Sequence, residues 1–277
     1  MLKVVNGKEA VKIMELSVYC DELLEMYIDG RVPSQSYYDK ERPKNMRTKM
    51  VNGVPFMDIA YEHLKDFFDR DEIEAAVREM LRLQTETDCK FFGLNKGQAN
   101  ISGTYIQNHL LGSKKSQRNI HKRIDELGIE ESDITDKTIL DLGSFHGGML
   151  FWASQFKPSA MLGVEVDEYK CRLTRKIAAF ANIPMEVVQA DLNDYIITNK
   201  YDTVFCLAII GHLRNSSNLY KQLYDITNDV LFLEGNKHTD PEKIEERLRE
   251  AGFTNIEYRG RSTDDGIGRP IFKCRKD

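Results

Sequence analysis

The residues best suited to chemistry follow a short, largely apolar run near the middle of the chain. Residues 138–142 contain Asp141, and Gly143 and Gly147 come soon after. Such a run is typical of a buried strand, and the glycines allow the chain to turn tightly and approach a ligand. A helix that starts near Gly147 would point its N–H groups at the same place. We therefore expect a binding loop formed by Asp141, Gly143, Ser144, Phe145 and Gly147.

Two common nucleotide-binding loops do not fit this spacing. A phosphate-binding P-loop ends in Gly-Lys-Ser or Gly-Lys-Thr, and the loop here has no lysine. A dinucleotide-binding loop has the spacing G-x-G-x-x-G, whereas this chain reads G-x-x-x-G-G. The pattern Asp-x-Gly-x-x-x-Gly instead resembles the first motif of the class I S-adenosylmethionine (SAM) methyltransferases. In that family the acid, here Asp141, and the loop amides face the amino-acid end of SAM, and many members carry a glycine where Phe145 stands.

Further acids follow the next two predicted strands. Ligands bind outside the carboxyl ends of parallel strands, and an acid about 20 residues past the loop can accept hydrogen bonds from both ribose hydroxyls. Glu165 is our candidate for this role. Asp167 is the alternative, although we favour it as the cap of the following helix. The resemblance further implies that Asp191 binds the exocyclic amine of adenine and that the backbone amide of Leu192 binds a ring nitrogen.

A histidine follows the fourth predicted strand. Leu207 and the apolar residues after it would line the adenine or methionine portion of SAM. His212 comes next, and an imidazole with a pKa of about 6.5 is a suitable general base for an acceptor hydroxyl. A purely structural His212 is the alternative. Glu234, Asn236 and His238 follow the fifth strand and would contact substrate or solvate a loop. No spacing of ligating residues suggests a metal site.

Strands and helices alternate from residue 138 onward. The predicted strands are 139–142, 161–166, 185–189, 202–208, 229–233, 253–259 and 270–274. Strands that are apolar on both faces indicate a parallel sheet covered by helices. The last two strands have no helix between them, which indicates an antiparallel hairpin. We therefore predict an α/β fold with a Rossmann-like, seven-stranded, mostly parallel sheet and an antiparallel terminal hairpin, which also resembles the class I methyltransferase core.

The N-terminal part reads as helical, without strands. Helices are predicted over 8–29, 56–69 and 71–84, with an irregular connection between the first two, and another helix runs from Lys114 to about Leu127. Residues 91–112 mix aromatic, glycine and amide residues, as either a binding segment or a surface loop would. We predict a helical region, 1–112, that covers the substrate site, and a SAM-binding domain, 113–277.

Composition excludes several classes of protein. The chain has 277 residues and a net charge of −5, so it is not basic overall as nucleic-acid binders commonly are. No apolar run is long enough to span a membrane, and no signal sequence follows Met1. The five cysteines are scattered, which argues against disulfides and indicates a cytoplasmic protein. Two clusters of basic residues, within 40–49 and 114–123, are either solvated faces or contacts for an anionic substrate such as RNA.

A narrower resemblance concerns the tRNA wobble-uridine carboxymethyl-transferring enzymes. Residues 201–212 are similar to the matching stretch of that group, and residues 231–234 and 95–97 are similar more weakly. In those enzymes a lysine before a glycine, like Lys96 here, helps to bind the extra carboxylate of a modified cofactor. An aromatic residue that they carry just before the histidine is Gly211 in this chain.

These observations predict a SAM-dependent methyltransferase. We expect a small-molecule or sugar acceptor, methylated on oxygen, because the protein is acidic and has no added RNA-binding module. The alternatives are an RNA (tRNA)-modifying methyl- or carboxymethyltransferase and a non-catalytic SAM-fold binding protein. A nicotinamide dehydrogenase is disfavoured by the spacing of the loop.

Overall fold

The computed structural model describes residues 7–33, 48–91, 103–113, 115–214, 217–264 and 266–276. The helices are α1 Gly7–Ile28, α2 Phe56–Leu64, α3 Arg70–Phe91, α4 Ile120–Leu127, α5 Gly148–Ala153, α6 Glu168–Phe180, α7 Ser217–Ile226 and α8 Pro241–Ala251. The strands are β1 Arg31–Pro33, β2 Thr48–Met50, β3 Thr104–Ile106, β4 Ser116–Arg118, β5 Thr138–Leu142, β6 Ala160–Glu165, β7 Glu186–Gln189, β8 Tyr201–Leu207, β9 Thr227–Glu234, β10 Asn255–Arg261 and β11 Pro270–Arg275.

A seven-stranded sheet in the order β10-β11-β9-β8-β5-β6-β7 forms the centre of the molecule. Strands β7, β6, β5, β8 and β9 pair in parallel, whereas β11 is antiparallel to both β9 and β10. Ile139 and Leu140 on β5 and Val204 and Phe205 on β8 are fully buried, because helices cover both faces of the sheet. The predicted α/β fold with an antiparallel terminal hairpin is confirmed.

The N-terminal helices pack on one face of this α/β unit. Leu24 of α1, Phe56 of α2 and Val77 of α3 share a core with Ile177 and Phe180 of α6. Helix α6 follows β6, whose last residue, Glu165, accepts a hydrogen bond from Phe145 of the binding loop. The N-terminal helices are therefore fixed beside the carboxyl end of the sheet, where parallel sheets bind their ligands.

Four short strands occur where the sequence pattern predicts none. Strands β1 and β2 pair antiparallel, with Val32 opposite Lys49. Strand β3 pairs in parallel with β4, with Ile106 opposite Arg118. Each of these strands has three residues, which is too short for an alternation of polar and apolar residues to be visible. The prediction of an N-terminal region without strands is wrong.

The helix predicted from Lys114 begins later. Residues 116–118 are extended because they pair with β3, and α4 starts at Ile120. Asn119 caps this helix, since its side chain accepts a hydrogen bond from the N–H of Lys122 at 3.1 Å. The start of the helix is therefore set by the Asn119 side chain, and Arg118, just before it, belongs to β4.

Some of the predicted features lie outside the described residues. Lys96 and its neighbours are among them, as are Lys114 and the part of the first basic cluster within 40–47; Lys49, at the end of that cluster, is exposed on β2. Within the described ranges, none of the helices combines the length and the apolar character that crossing a bilayer requires.

Candidate active site

A cavity of about 600 Å³ lies at the carboxyl ends of β5, β6, β7 and β8, and its size suits a cofactor or small substrate. Sequence reasoning predicts a site at this edge of the sheet. The cavity wall brings together Asp141, Gly143, Ser144, Phe145, Glu165, Asp191, Leu192, Leu207 and His212. Of the predicted site residues, Gly147 is the one that does not line it.

Gly143 and Ser144 form the bend that follows β5. Gly143 has φ +72°, and a Cβ on it would lie 2.4 Å from Cγ2 of Ile209, so only glycine fits without displacing that side chain. The N–H groups of Gly143 and Ser144 both donate to the carbonyl of Val164, at 2.8 and 3.1 Å. The hydroxyl of Ser144 is buried and has no hydrogen-bond partner among the described residues, so a bound ligand can use it.

Phe145 has a backbone conformation that is unusual for an aromatic residue, with φ +53°. Its ring centroid lies 4.8 Å from that of Tyr105 and 4.3 Å from that of His146, and Nζ of Lys170 lies 5.1 Å from it. The N–H of Phe145 donates to the carboxylate of Glu165 at 3.0 Å. These contacts stabilise a turn for which glycine is the more common residue.

Gly147 lies behind the cavity wall at the start of α5. It has φ +71° and its N–H donates to the carbonyl of Ser144 at 2.8 Å. A Cβ on Gly147 would lie 2.8 Å from Cγ2 of Thr174 on α6. Gly147 therefore permits the turn and the close approach of α6, and its role in cofactor binding stays a prediction.

Asp141 is a buried acid at the tip of β5, with 3% of its surface exposed. Burial, and secondly the charge of Glu165, raise its pKa to about 7. Among the described residues, its carboxylate has neither a hydrogen-bond donor nor a cationic partner. A cationic ligand group at this position would stabilise the ionised carboxylate.

Glu165 is the acid at the tip of β6. Its carboxylate accepts hydrogen bonds from the N–H groups of Phe145, at 3.0 Å, and of Val166 and Asp167, at 3.1 Å each. It therefore links the glycine loop to the next strand and also faces the cavity. Asp167 caps α6 by accepting from the N–H of Lys170 at 3.1 Å, so the predicted capping role is confirmed.

Asp191 lies at the tip of β7 and is exposed. One of its carboxylate oxygens accepts from the backbone N–H of Asn193 at 2.9 Å and from the Asn193 side chain at 2.7 Å. These hydrogen bonds hold the pKa of Asp191 below its usual value, so the group is an ionised acceptor at neutral pH. Leu192, the next residue, contributes an apolar surface to the cavity wall.

The end of β8 carries His212 and a strained alanine. Ala208 has φ +62°, and His212 is exposed at the end of a short 3-10 turn. The side chain of Asn236 joins both parts: its Nδ2 donates to the Ala208 carbonyl at 3.0 Å, and its Oδ1 accepts from the N–H of Gly211 at 2.6 Å. Asn236 therefore fixes the segment that presents Leu207 and His212 to the cavity.

The second basic cluster is partly internal. Arg118 and Arg123 are buried and pair with Glu234 and Asp264, and the Arg118–Glu234 and Arg123–Glu234 distances are 2.6 and 2.7 Å. The described lysines of the cluster are exposed: Lys115 and Lys122. A solvated face is therefore the wrong interpretation for the two arginines, and they are not available to a nucleic-acid backbone.

Several residues of the cavity wall were not predicted site residues: Tyr105, Ile106, Arg123, Asn236 and Arg269. Tyr105 and Asn236 come from segments that the sequence marks only as possible binding loops. The sequence does indicate that Arg123 is internal, because Arg123 falls on the same helical face as Ile120 and Ile124, where an arginine is unusual. Arg269 has no comparable signal in its sequence context.

Comparison with curated proteins finds methyltransferases. A "probable (S)-tetrahydroprotoberberine N-methyltransferase 2" of Papaver bracteatum is 23% identical over 172 residues, or 60% of this chain and 46% of that protein. The tRNA U34 carboxymethyltransferase of Sulfurimonas denitrificans is 23% identical over 210 residues, or 72% of this chain and 67% of that protein. The chain thus spans about half the length of the first relative and about two thirds of the second. No protein-family model matches it.

The order of the strands and these relatives together decide the fold family. The chain has the class I methyltransferase fold. Among solved structures, WbdD resembles it with a TM-score of 0.52 and 16% identity, over 64% of this chain and 46% of that one. The predicted resemblance to the SAM-dependent methyltransferases is confirmed, and with it SAM as the cofactor of the family.

The residues of this cavity fit SAM chemically. Asp141 is a buried acid without a cationic partner in the described chain, and SAM carries an ammonium group. Ser144, in the loop that follows β5, has a hydroxyl without a hydrogen-bond partner among the described residues. Glu165 and Asp191 are hydrogen-bond acceptors at the next two strand tips, and Leu192 and Leu207 are apolar. Acids, a free hydroxyl and apolar walls match the polar and purine parts of this cofactor.

Proposed function

We propose that the chain is a SAM-dependent methyltransferase and that SAM binds along the carboxyl ends of β5, β6 and β7. One observation supports this proposal above the others: Asp141, Glu165 and Asp191 line one cavity from three successive strand tips. Asp141 would hold the ammonium group, Glu165 the ribose hydroxyls and Asp191 the adenine amine. The order of these three acids across the sheet is the same as the order of the three groups along SAM.

We propose a small-molecule or sugar acceptor that is methylated on oxygen. When bound, SAM supplies a methyl group already activated by its positive sulfur. The chain then has to align the acceptor, exclude water and remove one proton. His212 is the group that we assign to proton removal. One of its ring nitrogens would accept the hydroxyl proton as the acceptor oxygen bonds to the methyl carbon and the methyl–sulfur bond breaks, which would leave S-adenosylhomocysteine. Its exposed position at the cavity mouth suits contact with a second substrate.

We propose that the N-terminal region covers the acceptor. Tyr105 and Ile106 of β3 line the same cavity as His212. The ring of Tyr105 also packs on that of Phe145 in the glycine loop, with centroids 4.8 Å apart. A region that packs there would exclude water and limit the size of the acceptor. This supports a small acceptor over a folded macromolecule.

Transfer of a labelled methyl group tests the activity and the acceptor class together. The full chain is incubated with SAM tritiated on its methyl group and, separately, with a small-metabolite extract and with purified tRNA. We expect label in the metabolite fraction, and none with Asp141→Asn. Label in neither fraction, although SAM binds, would instead support a non-catalytic SAM-binding protein.

A tRNA-modifying enzyme is the second candidate. It is favoured by a relative that matches 72% of this chain, a tRNA U34 carboxymethyltransferase. The exposed Lys115 and Lys122 could contact phosphates. A methyl-transferring form of this candidate predicts label in the tRNA fraction, whereas a carboxymethyl-transferring form would label tRNA only from the labelled carboxylated cofactor. Both forms predict a steep loss of tRNA binding as salt is added, whereas binding of a neutral small acceptor would be insensitive to salt.

A further inference from the structure

Arg123 is a buried cation in the wall of the cavity, and no role was assigned to it. It lies on α4 with 4% of its surface exposed. Its Nη2 donates to Oε2 of Glu234 at 2.7 Å, and its Nη1 lies 3.5 Å from Oδ2 of Asp264, which is longer than a good hydrogen bond. Nε and Nη1 of Arg123 have no hydrogen-bond partner among the described residues.

Arg123 shares its two neighbouring acids with a second arginine. Arg118 also donates to them, from Nη2 to Oε1 of Glu234 and from Nε to Oδ2 of Asp264, at 2.6 Å each. Two guanidinium groups therefore share two carboxylates. A guanidinium keeps its proton in proteins, and a buried donor without an acceptor is destabilising. The free donors of Arg123 therefore favour an acceptor that arrives with a ligand.

The sheet register places Arg123 at the opposite end of the cavity from the predicted adenine site. Asp141 on β5 lies opposite Phe205 on β8, and Leu207 on β8 lies opposite Glu234 on β9. Neighbouring strands are about 4.8 Å apart, so Glu234, which holds Arg123, is about 10 Å across the sheet from Asp141. The cavity thus has acids at the β5, β6 and β7 tips and a guanidinium at the β9 tip.

We propose that Arg123 recognises a carboxylate at the β9 end of the cavity, with Nε and Nη1 as donors. The carboxylate belongs either to the amino-acid end of SAM or to the acceptor, and both sources present the same chemistry to the arginine. This inference rests on the proposed function, because it takes the acids of β5 to β7 as the SAM site. Hydrogen bonds to a charged group are strong enough to affect affinity measurably.

Calorimetry of the full chain with three ligands distinguishes a SAM carboxylate from an acceptor carboxylate. SAM has both the ammonium and the carboxylate, decarboxylated SAM lacks only the carboxylate, and 5′-methylthioadenosine lacks both. If Arg123 binds the carboxylate of SAM, the wild-type chain prefers SAM over decarboxylated SAM about 10- to 100-fold. Arg123→Met should lose this preference and bind 5′-methylthioadenosine as the wild type does, which also shows that the variant is folded. Arg249→Met, which removes an exposed arginine from α8, is the matched control and should keep the preference.

An acceptor carboxylate gives a different result. SAM and decarboxylated SAM then bind alike to wild type and Arg123→Met, and the S-adenosylhomocysteine complex is titrated with acetate while NMR line broadening is followed. Acetate should broaden with the wild type and with Arg249→Met, but not with Arg123→Met. If neither the SAM preference nor acetate binding depends on Arg123, the proposal is overturned and water alone satisfies the donors. If the wild type binds neither SAM nor 5′-methylthioadenosine, the proposed function itself fails.

Arg123→Lys provides a variant that keeps the charge beside Glu234. It protects the test against loss of folding, because the buried acids retain a cation. A lysine cannot reproduce the planar donors of a guanidinium. We therefore expect Arg123→Lys to lose most of the discrimination measured above while it unfolds at nearly the wild-type temperature. Full discrimination in Arg123→Lys would show that charge alone, without the arginine donors, recognises the ligand.

Discussion

The pH dependence of SAM binding should follow the ionisation of Asp141. In the free protein, burial and the charge of Glu165 raise the Asp141 pKa to about 7. The ammonium group of SAM favours the ionised carboxylate, so binding below this pKa must first remove a proton. Affinity for SAM should therefore rise as the pH increases toward 7, and each binding event at lower pH should release a proton.

The size of this effect follows from the fraction of Asp141 that is ionised. With a pKa of about 7, roughly half of the carboxylate is ionised at pH 7 and roughly a tenth at pH 6. SAM should therefore bind about fivefold more weakly at pH 6 than at pH 7. Over this interval an α-amino group, with a pKa of about 7.7–8.0, stays largely protonated, so Asp141 dominates the change.

Calorimetry in two buffers of different ionisation enthalpy measures both the affinity and the released proton. The ligand control is 5′-methylthioadenosine, which has no ammonium group and should bind equally at both pH values. In Asp141→Asn the pH dependence should disappear and SAM should bind more weakly at pH 7. A wild-type affinity for SAM that is constant between pH 6 and 7, or a dependence that survives in Asp141→Asn, would refute the role of Asp141.

Four other outcomes are expected. Asp141→Asn should stabilise the ligand-free protein at pH 8 by up to about 4 kcal/mol, because the folded variant no longer contains a buried charge. Thermal or urea unfolding measures this change, and an unchanged stability would contradict the raised pKa of Asp141. Glu165→Gln should weaken SAM and 5′-methylthioadenosine alike, by about tenfold in calorimetry, because both ligands carry the ribose; a loss confined to SAM would place Glu165 elsewhere. His212→Ala should leave SAM affinity within about twofold and slow labelled methyl transfer to a hydroxyl acceptor about 100-fold or more; undiminished transfer would remove the base role. Gly143→Ala should lower the unfolding free energy by about 1–3 kcal/mol, because its Cβ collides with Ile209 in a left-handed turn; a wild-type stability would show that the loop can relax.

The α/β unit could be predicted from the sequence because its pattern is local and strong. Ile139 and Leu140 are apolar on both faces of a short strand, as a helix-covered parallel strand requires. The cap residue Asp240 followed by Pro241 marks the start of α8, and the structure begins that helix at Pro241. Signals of this kind depend on a few neighbouring residues, so no knowledge of the tertiary fold is needed to use them.

The short strands β1 to β4 could not be predicted because tertiary contacts create them. Val32 pairs with Lys49, and Ile106 pairs with Arg118. In both pairs the two residues are separated by more than ten positions of chain, so neither segment shows its partner. Residues 116–118, Ser-Gln-Arg, have no strong preference for a strand. Their extended conformation depends on β3, and the sequence of either segment alone does not contain this information.

The site also contains residues that could be placed from the sequence and residues that could not. Asp141 and Glu165 could be placed because they end predicted parallel strands, and such ends share one edge of the sheet. Arg123 could not be placed there, because its position depends on α4 packing beside the tip of β9 and on the buried acids Glu234 and Asp264. The helical face that Arg123 shares with Ile120 and Ile124 indicates that it points inward, but it does not show which acids the arginine pairs with.

Calorimetric titration of the full wild-type chain with S-adenosylhomocysteine and with NAD, in the same buffer at pH 7.5, tests the central claim most directly. The cavity formed by the loop after β5 and the acids of β6 and β7 should bind S-adenosylhomocysteine with one-to-one stoichiometry and give no binding heat with NAD. Binding of NAD, or no binding of S-adenosylhomocysteine at any pH from 6 to 8, would contradict the assignment of this cavity.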